Sequence, residues 1–213
     1  MTGKTHYDNE YFKWQKSIGI FGGKANKIKF QNIIQKNQNV LDFGCGGGFL
    51  LDEFENIKKN GVEINEAARN EAIKKNIKVF NSSKDLPSDE FDVIVSDNAL
   101  EHCDNPFLEL KELYRSLKKG GEICIVVPLD GLRFSFKPND KDFHLYSWSP
   151  MNLGNILTAA GFDVVESKPF VHKWFPFYDK FKRILPWSIF HVICRIYGSI
   201  DRRWFQVKAI ATK

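Results

Sequence analysis

Cysteine is sparse in this chain of 213 residues, and the four present (Cys45, Cys103, Cys124, Cys194) form neither a CxxC pair nor a regular framework. That excludes a disulfide-stapled scaffold and a cysteine-rich zinc site, and it fits a reducing, cytoplasmic setting. No apolar run reaches the roughly 18 residues of a bilayer-spanning helix. The first nine residues are polar, so no secretory signal is expected there. Internal repeats and low-complexity segments are also missing. Acid becomes scarce toward the end: from Lys168 onward, ten Lys/Arg meet only Asp179 and Asp201, while the preceding part is slightly acidic. A basic end suits an anionic partner or surface, or is simply a solvated positive face.

What is present is enough for one domain with a proper core, since 43% of the residues are hydrophobic. Short apolar runs alternate with helical patterns. Strands are expected at 40–43, 61–64, 77–80, 91–96, 123–127, 162–165 and 204–212. Helices are expected at 49–58, 66–75 with Asn65 as N-cap, 106–118 and 150–160. Pro128 is read as a strand stop, and residues 129–149 as a loop. This alternation implies an α/β fold, a doubly wound and mainly parallel sheet covered on both faces. Residues 1–36 form an arm with an aromatic cluster (Tyr7, Tyr11, Phe12, Trp14), a turn at Phe21-Gly22-Gly23 and an amphipathic helix at 24–36. The arm reads as a lid over a ligand, with Tyr11 against an acceptor, or as a packing element.

The stretch Val40-Leu41-Asp42-Phe43-Gly44-Cys45-Gly46-Gly47-Gly48 is a strand, a glycine-rich loop and the start of a helix. Glycine tolerates positive φ and close approach of a ligand to bare backbone. A helix N-terminus behind such a loop favours a nucleotide-like ligand. Glu63 follows at the end of the second strand, where a carboxylate can accept both hydroxyls of a ribose. The dinucleotide pattern G-x-G-x-x-G fails, because Phe49 stands at its third glycine. Asp42 is a poor neighbour for a pyrophosphate and a good one for a cationic amino group. A ligand carrying both an adenosine and a zwitterion therefore fits better than a nicotinamide dinucleotide.

With these residues the chain resembles the class I S-adenosylmethionine-dependent methyltransferases, in particular the small-molecule type 11 group. The resemblance covers roughly residues 38–165. It rests on the glycine motif, on Gly61-Val62-Glu63-Ile64, on Phe91-Asp92-Val93-Ile94 followed by Asn98-Ala99-Leu100-Glu101-His102, and on Leu117-Lys118-Lys119-Gly120-Gly121. It implies a seven-stranded sheet with the last strand antiparallel, and S-adenosylmethionine at the carboxyl ends of the strands. Asp42, Gly44, Cys45 and Gly46 would lie along the methionine part, Glu63 on the ribose and Ile64 on the adenine. Ser82 and Ser83 stand where many relatives have an aspartate toward the adenine amino group. Asp97 and Asn98 would border the methionine.

Methyl transfer to a hydroxyl needs an aligned acceptor and a base. His102, after the fourth strand, and His144, in the long loop, are the candidates; the competing account has them holding their loops. Tyr146 and Trp148 beside His144 would line an acceptor pocket. Asp140, Asp142 and His144 match no strong metal motif, so no metal is expected. Cys103 lacks the company of a nucleophile, and Ser96-Asp97-Asn98-Ala99 is no base-flipping motif, so nucleic acid is not the expected acceptor. The chain thus divides into an arm (1–36), a cofactor core (37–169), an aromatic, basic insert (170–203) and a final strand (204–213). The insert caps the acceptor pocket, packs as core or dimer element, or rests on a membrane interface. Monomer and homodimer both stay open. The expected activity is methyl transfer to a small molecule, a sugar or surface-glycan hydroxyl. The rivals are a quinone or lipid intermediate, a nicotinamide-dependent oxidoreductase and a non-catalytic cofactor-binding scaffold.

Overall fold

The apolar run at Val40 forms β1 (Asn39–Phe43), buried along its whole length. A strand without a solvent face belongs inside a sheet covered on both sides. The computed structural model describes residues 9–130, 135–138, 140, 142–181, 184–201 and 204–213, without the side chains at 9–11, 13–15, 130, 179 and 204. Around β1 the chain runs as α1 (Asn9–Asn26), a 3-10 turn (Lys27–Lys29), β1, α2 (Phe49–Asp52), β2 (Lys58–Val62), α3 (Glu66–Ile73) and β3 (Lys78–Phe80). It continues through β4 (Phe91–Asp97), α4 (Pro106–Ser116), β5 (Leu117–Asp130), α5 (Pro150–Ala160) and β6 (Asp163–Phe170). It closes with α6 (Tyr178–Phe181), α7 (Trp187–Ile200) and β7 (Trp204–Thr212).

The seven strands lie in the order β3-β2-β1-β4-β5-β7-β6. β1, β2, β3, β4 and β5 are parallel, and β7 runs antiparallel to both β5 and β6. One core covers a face of the sheet with Leu110, Leu113, Leu153 and Leu157 from α4 and α5. The other covers the opposite face with Phe30, Leu50, Leu51 and Ala72. Each fully buried leucine or phenylalanine among them contributes about 2 kcal/mol. Helix starts follow local chemistry. The Asn65 and Asn105 carboxamides accept from the amides of Ala68 and Leu108, and Ser149 with Asn152 closes a capping box on α5. Between β1 and β4 the strand order reverses, and ligands of such sheets bind at the carboxyl ends there.

Several local expectations give way. The helix after the glycine loop stops at Asp52, and the polar Lys58-Lys59-Asn60 stretch opens β2, so Glu63 falls just beyond the strand. Pro128 does not end β5, which runs on to Asp130 paired with β7. The β4 partner ends at Asp97↔Val126, and beyond it the Pro128 carbonyl accepts from the Trp148 amide, so the missing N–H of Pro128 costs no strand pairing. In the arm, Phe21-Gly22-Gly23 is no turn but part of α1, and the helix lies earlier than 24–36. The glycines serve packing: a Cβ on Gly23 would meet the Phe49 carbonyl oxygen at 2.2 Å. The side chains of Tyr7, Tyr11 and Trp14 fall outside the described residues, whereas Phe12 is buried.

Candidate functional site

A cavity of about 570 Å³ opens where β1 and β4 end, between the glycine loop, α1, the 142–144 loop, the insert and β7. Gly44, Cys45, Gly46 and Gly47 form part of its wall. Gly44 has φ 78°, and a Cβ there would stand 2.3 Å from that of Ala99. A side chain at this position would be strained and would push the loop off the segment after β4.

Three carboxylates gather around the loop. Asp42 faces the cavity from β1 and is 3% exposed. Burial pushes its carboxyl up to about 8, and the charges of Asp97 and Glu63 add to the rise. No hydrogen bond or cation from the described residues offsets that rise. Asp97 is better served. Lys29 Nζ donates to both of its oxygens at 2.7 and 3.0 Å, and both side chains are almost buried. Glu63 accepts from the Gly46 amide at 2.9 Å and the Asn65 amide at 2.7 Å, which ties it to the glycine loop. Burial raises the Glu63 carboxyl, and those backbone donors work against the rise. The donor set suits S-adenosylmethionine. An unneutralised buried acid beside a bare loop calls for a cationic group, and Asp42 would hold the amino end of the ligand.

The expected adenosine contacts are not brought into the cavity wall. Ile64 is half exposed beyond β2, and its carbonyl accepts from Arg69 at 2.7 Å. The Ser82 hydroxyl accepts from the Lys84 amide, and the buried Ser83 hydroxyl donates to Glu109. Asn98 does line the cavity, at φ 54°, with its side chain fixed by Gln206 Nε2 at 2.9 Å.

The two candidate histidines do come together. His102 and His144 both line the cavity, with ring centroids 5.0 Å apart in an edge-to-face arrangement. Glu101 is fully buried beside them, its carboxylate 3.9 Å from His102 Nε2. The Leu145 amide donates to the Glu101 carbonyl at 2.9 Å and so clamps the loop of His144 to this point. One ligand atom each from Glu101, His102 and His144 fall within 4.8 Å of one another. Two histidines and a carboxylate are a donor set that can hold a divalent cation. Asp140 does not join them; it accepts from the Phe143 amide and shapes the loop. Tyr146 and Trp148 are absent from the cavity wall. Trp148 is 4% exposed within the core, and the Tyr146 hydroxyl donates to the Asp104 carbonyl. The bulk of Trp148 serves the core instead, and Tyr146 lies at the surface. Burial raises the thiols of Cys45 and Cys103, which leaves neither as a nucleophile.

The cavity also uses residues that no local motif marks. Lys29, Phe205 and Gln206 line it, as do Phe170, His172 and Trp174 of the insert. Phe21 of α1 stacks on Tyr178 and meets Trp174 edge-on, each at 4.9 Å, so the arm and the insert hold each other. His172 Nε2 lies 2.9 Å from His191 Nδ1, and burial holds His172 down to about 3. These contacts bridge distant parts of the chain, and only an aromatic-rich composition hinted at them.

Comparison with known proteins agrees with this geometry. Residues 23–167 match the family model described as "Methyltransferase domain". A Mycolicibacterium smegmatis protein named "Probable S-adenosylmethionine-dependent methyltransferase" is 24% identical over 162 residues, 70% of this chain and 62% of its own. A Coxiella burnetii protein named "Ubiquinone biosynthesis O-methyltransferase" is 29% identical over 104 residues, 44% of either chain. The chain spans about half the length of the curated relatives it matches. The solved Thermotoga maritima SAM-dependent methyltransferase superposes with a TM-score of 0.65 at 22% identity, covering 96% of this chain and 95% of that one. The glycine loop, the reversal of strand order beside it and the match over two thirds of the residues converge: the chain belongs to the methyltransferase-domain family, among the class I S-adenosylmethionine-dependent methyltransferases.

Proposed function

We propose that this chain transfers the methyl group of S-adenosylmethionine to a hydroxyl oxygen of a small acceptor, a sugar or surface-glycan precursor. One observation carries the reading. A single cavity holds an unneutralised buried acid, Asp42, and a histidine pair, His102 and His144. The bound cofactor supplies an already activated methyl group. What remains for the protein is to hold both partners and to take a proton. Asp42 holds the amino-acid end against the bare backbone of Gly44, Cys45 and Gly46, with Asp97 and Asn98 beside it. Glu63 faces the ribose, and the adenine extends past the cavity wall toward Ile64 and the Ser82-Ser83 turn. His144, braced by His102, accepts the hydroxyl proton, a task for which histidine is suited near neutral pH. A non-catalytic scaffold would have no use for this pair. Asn98, Asp142, Lys173 and Gln206 offer a polyol several hydrogen-bonding partners in the same wall.

A quinone or lipid intermediate is the second reading, favoured by the flat apolar surfaces of Phe170, Trp174 and Phe205 in the cavity. Incubation with methyl-labelled cofactor and parallel panels of sugar nucleotides and quinone precursors separates the two. Label in the sugar fraction is expected. Label in the extractable quinones alone assigns the second reading. Absence of binding to both S-adenosylmethionine and S-adenosylhomocysteine in calorimetry overturns the activity itself.

A further inference from the structure

Helix α7 is apolar on two opposite sides. Phe190, Cys194 and Gly198, four residues apart, are buried against α1 and the insert. Ile189, Val192, Ile196 and Ile200 follow one another at steps of three, four and four, so they share one face. That face points to solvent: the four are 47%, 55%, 57% and 77% exposed. Phe177, Phe181 and Ile184, just upstream, are exposed as well. One apolar face is enough to seat a helix. Single exposed aliphatics are ordinary, but a continuous aliphatic stripe marks a surface that meets something else.

The charge around the stripe selects the occupant. Residues 170–203 contain seven Lys/Arg (Lys173, Lys180, Lys182, Arg183, Arg195, Arg202, Arg203) against Asp179 and Asp201. Two copies meeting through this segment would bring like charges together. An apolar stripe with the exposed Arg195 on its own helix and the exposed Lys180 upstream, in a segment of net positive charge, is complementary to the headgroup region of a bilayer that carries anionic lipid. No helix among the described residues is long and apolar enough to cross a membrane, so contact would be peripheral. The stripe is also linked to the site. The Lys173 amide donates to the Cys194 carbonyl at 3.1 Å, and Lys173 and Trp174 line the cavity. We propose that α7 and the segment before it seat this protein on the surface of an anionic bilayer, which places the insert's wall of the cavity next to lipid.

The test is sedimentation with vesicles of phosphatidylcholine, alone or mixed with phosphatidylglycerol, at low and high salt. Wild type is expected to pellet with the mixed vesicles, less so at high salt, and to stay in solution with phosphatidylcholine alone. Ile196→Asp with Ile200→Asp should lower partitioning about tenfold or more, since both apolar contacts are replaced by charge. Lys180→Glu with Arg195→Glu, which touches no apolar group of the core, should also lower it about tenfold or more, and should flatten the salt dependence. Melting curves and S-adenosylhomocysteine binding report whether each variant is folded. Wild type left in solution with the mixed vesicles overturns the proposal, and so does a folded aliphatic variant that pellets equally well. A wild-type dimer in light scattering that the aliphatic variant dissociates, without vesicle binding, assigns the face to a second copy and overturns it too.

Discussion

Replacing Asp42 by asparagine should make the free protein more stable above neutral pH and the cofactor weaker. The side chain keeps its shape and loses its ability to ionise. In the free protein the carboxyl titrates near 8 instead of 3.8, chiefly because it is buried. Its folded-state pKa is raised, so the stability tied to its neutral form is complete below about 4 and is lost as pH rises through about 8. At about 1.4 kcal/mol per unit, the rise corresponds to about 6 kcal/mol at most. The Asn variant should therefore melt progressively higher than wild type as pH goes from 5 to about 9. Binding runs the other way. A cationic group against Asp42 requires the carboxylate, so below about 8 wild-type affinity should fall as pH falls, approaching tenfold per unit. At pH 7 the free group is mostly protonated, and binding should release about 0.9 proton. Calorimetry in buffers of different ionisation enthalpy measures that release. The ligand's own amino group also titrates near 8, with the opposite sign. The difference between wild type and Asp42→Asn isolates the carboxyl. Identical buffer dependence in the two proteins would refute the assignment.

Glu63→Ala should weaken S-adenosylmethionine by about 1–3 kcal/mol in calorimetry, the scale of a lost charged hydrogen-bond partner, and it also frees the Gly46 amide. An unchanged affinity removes Glu63 from the site. His144→Ala should lower turnover by about 10²–10⁴, the range for a general base, and His102→Ala by less, as a brace. If chelation abolishes activity and a divalent metal restores it, then Glu101, His102 and His144 hold a cation instead. Gly23→Ala should destabilise by about 1–3 kcal/mol, because its Cβ meets backbone rather than a flexible side chain. A melting temperature equal to wild type would show that α1 can lift off Phe49 without cost.

Sequence made the glycine-loop wall of the cavity readable because that wall is local. Asp42, Gly44 and Gly46 sit within five residues of one another, on one strand end and its loop, so strand periodicity and glycine chemistry place them directly. Asn65 announces its helix for the same reason. The errors arose where tertiary packing overrides local preference. Phe21-Gly22-Gly23 looks like a turn until Phe49 is placed against it. Pro128 looks like a stop until β7 supplies a partner that does not need its N–H. Trp148 resembles a pocket residue, yet the packed core takes it. Lys29 is a lone lysine in a basic stretch, and nothing nearby reveals that Asp97, 68 residues on, receives it.

That pair has a consequence for how the site is assembled. Lys29 lies in the turn after α1, and its ammonium is spent on Asp97 at the end of β4. Its carbonyl accepts from Lys208 of β7 at 2.6 Å. One residue therefore joins the arm, the central sheet and the final strand. Without it, Asp97 would lie in the cavity as a second unneutralised acid, and the repulsion on Asp42 would grow. Asp97 is thus neutralised beside the glycine loop, while Asp42 has no cation on it among the described residues. The cavity wall built from α1, the insert and β7 is fastened to the glycine-loop wall at this point. Substitutions along the insert should therefore reshape one wall of the cavity while the Lys29–Asp97 anchor holds the glycine-loop wall in place, and under the proposed function that would change acceptor choice without changing cofactor binding.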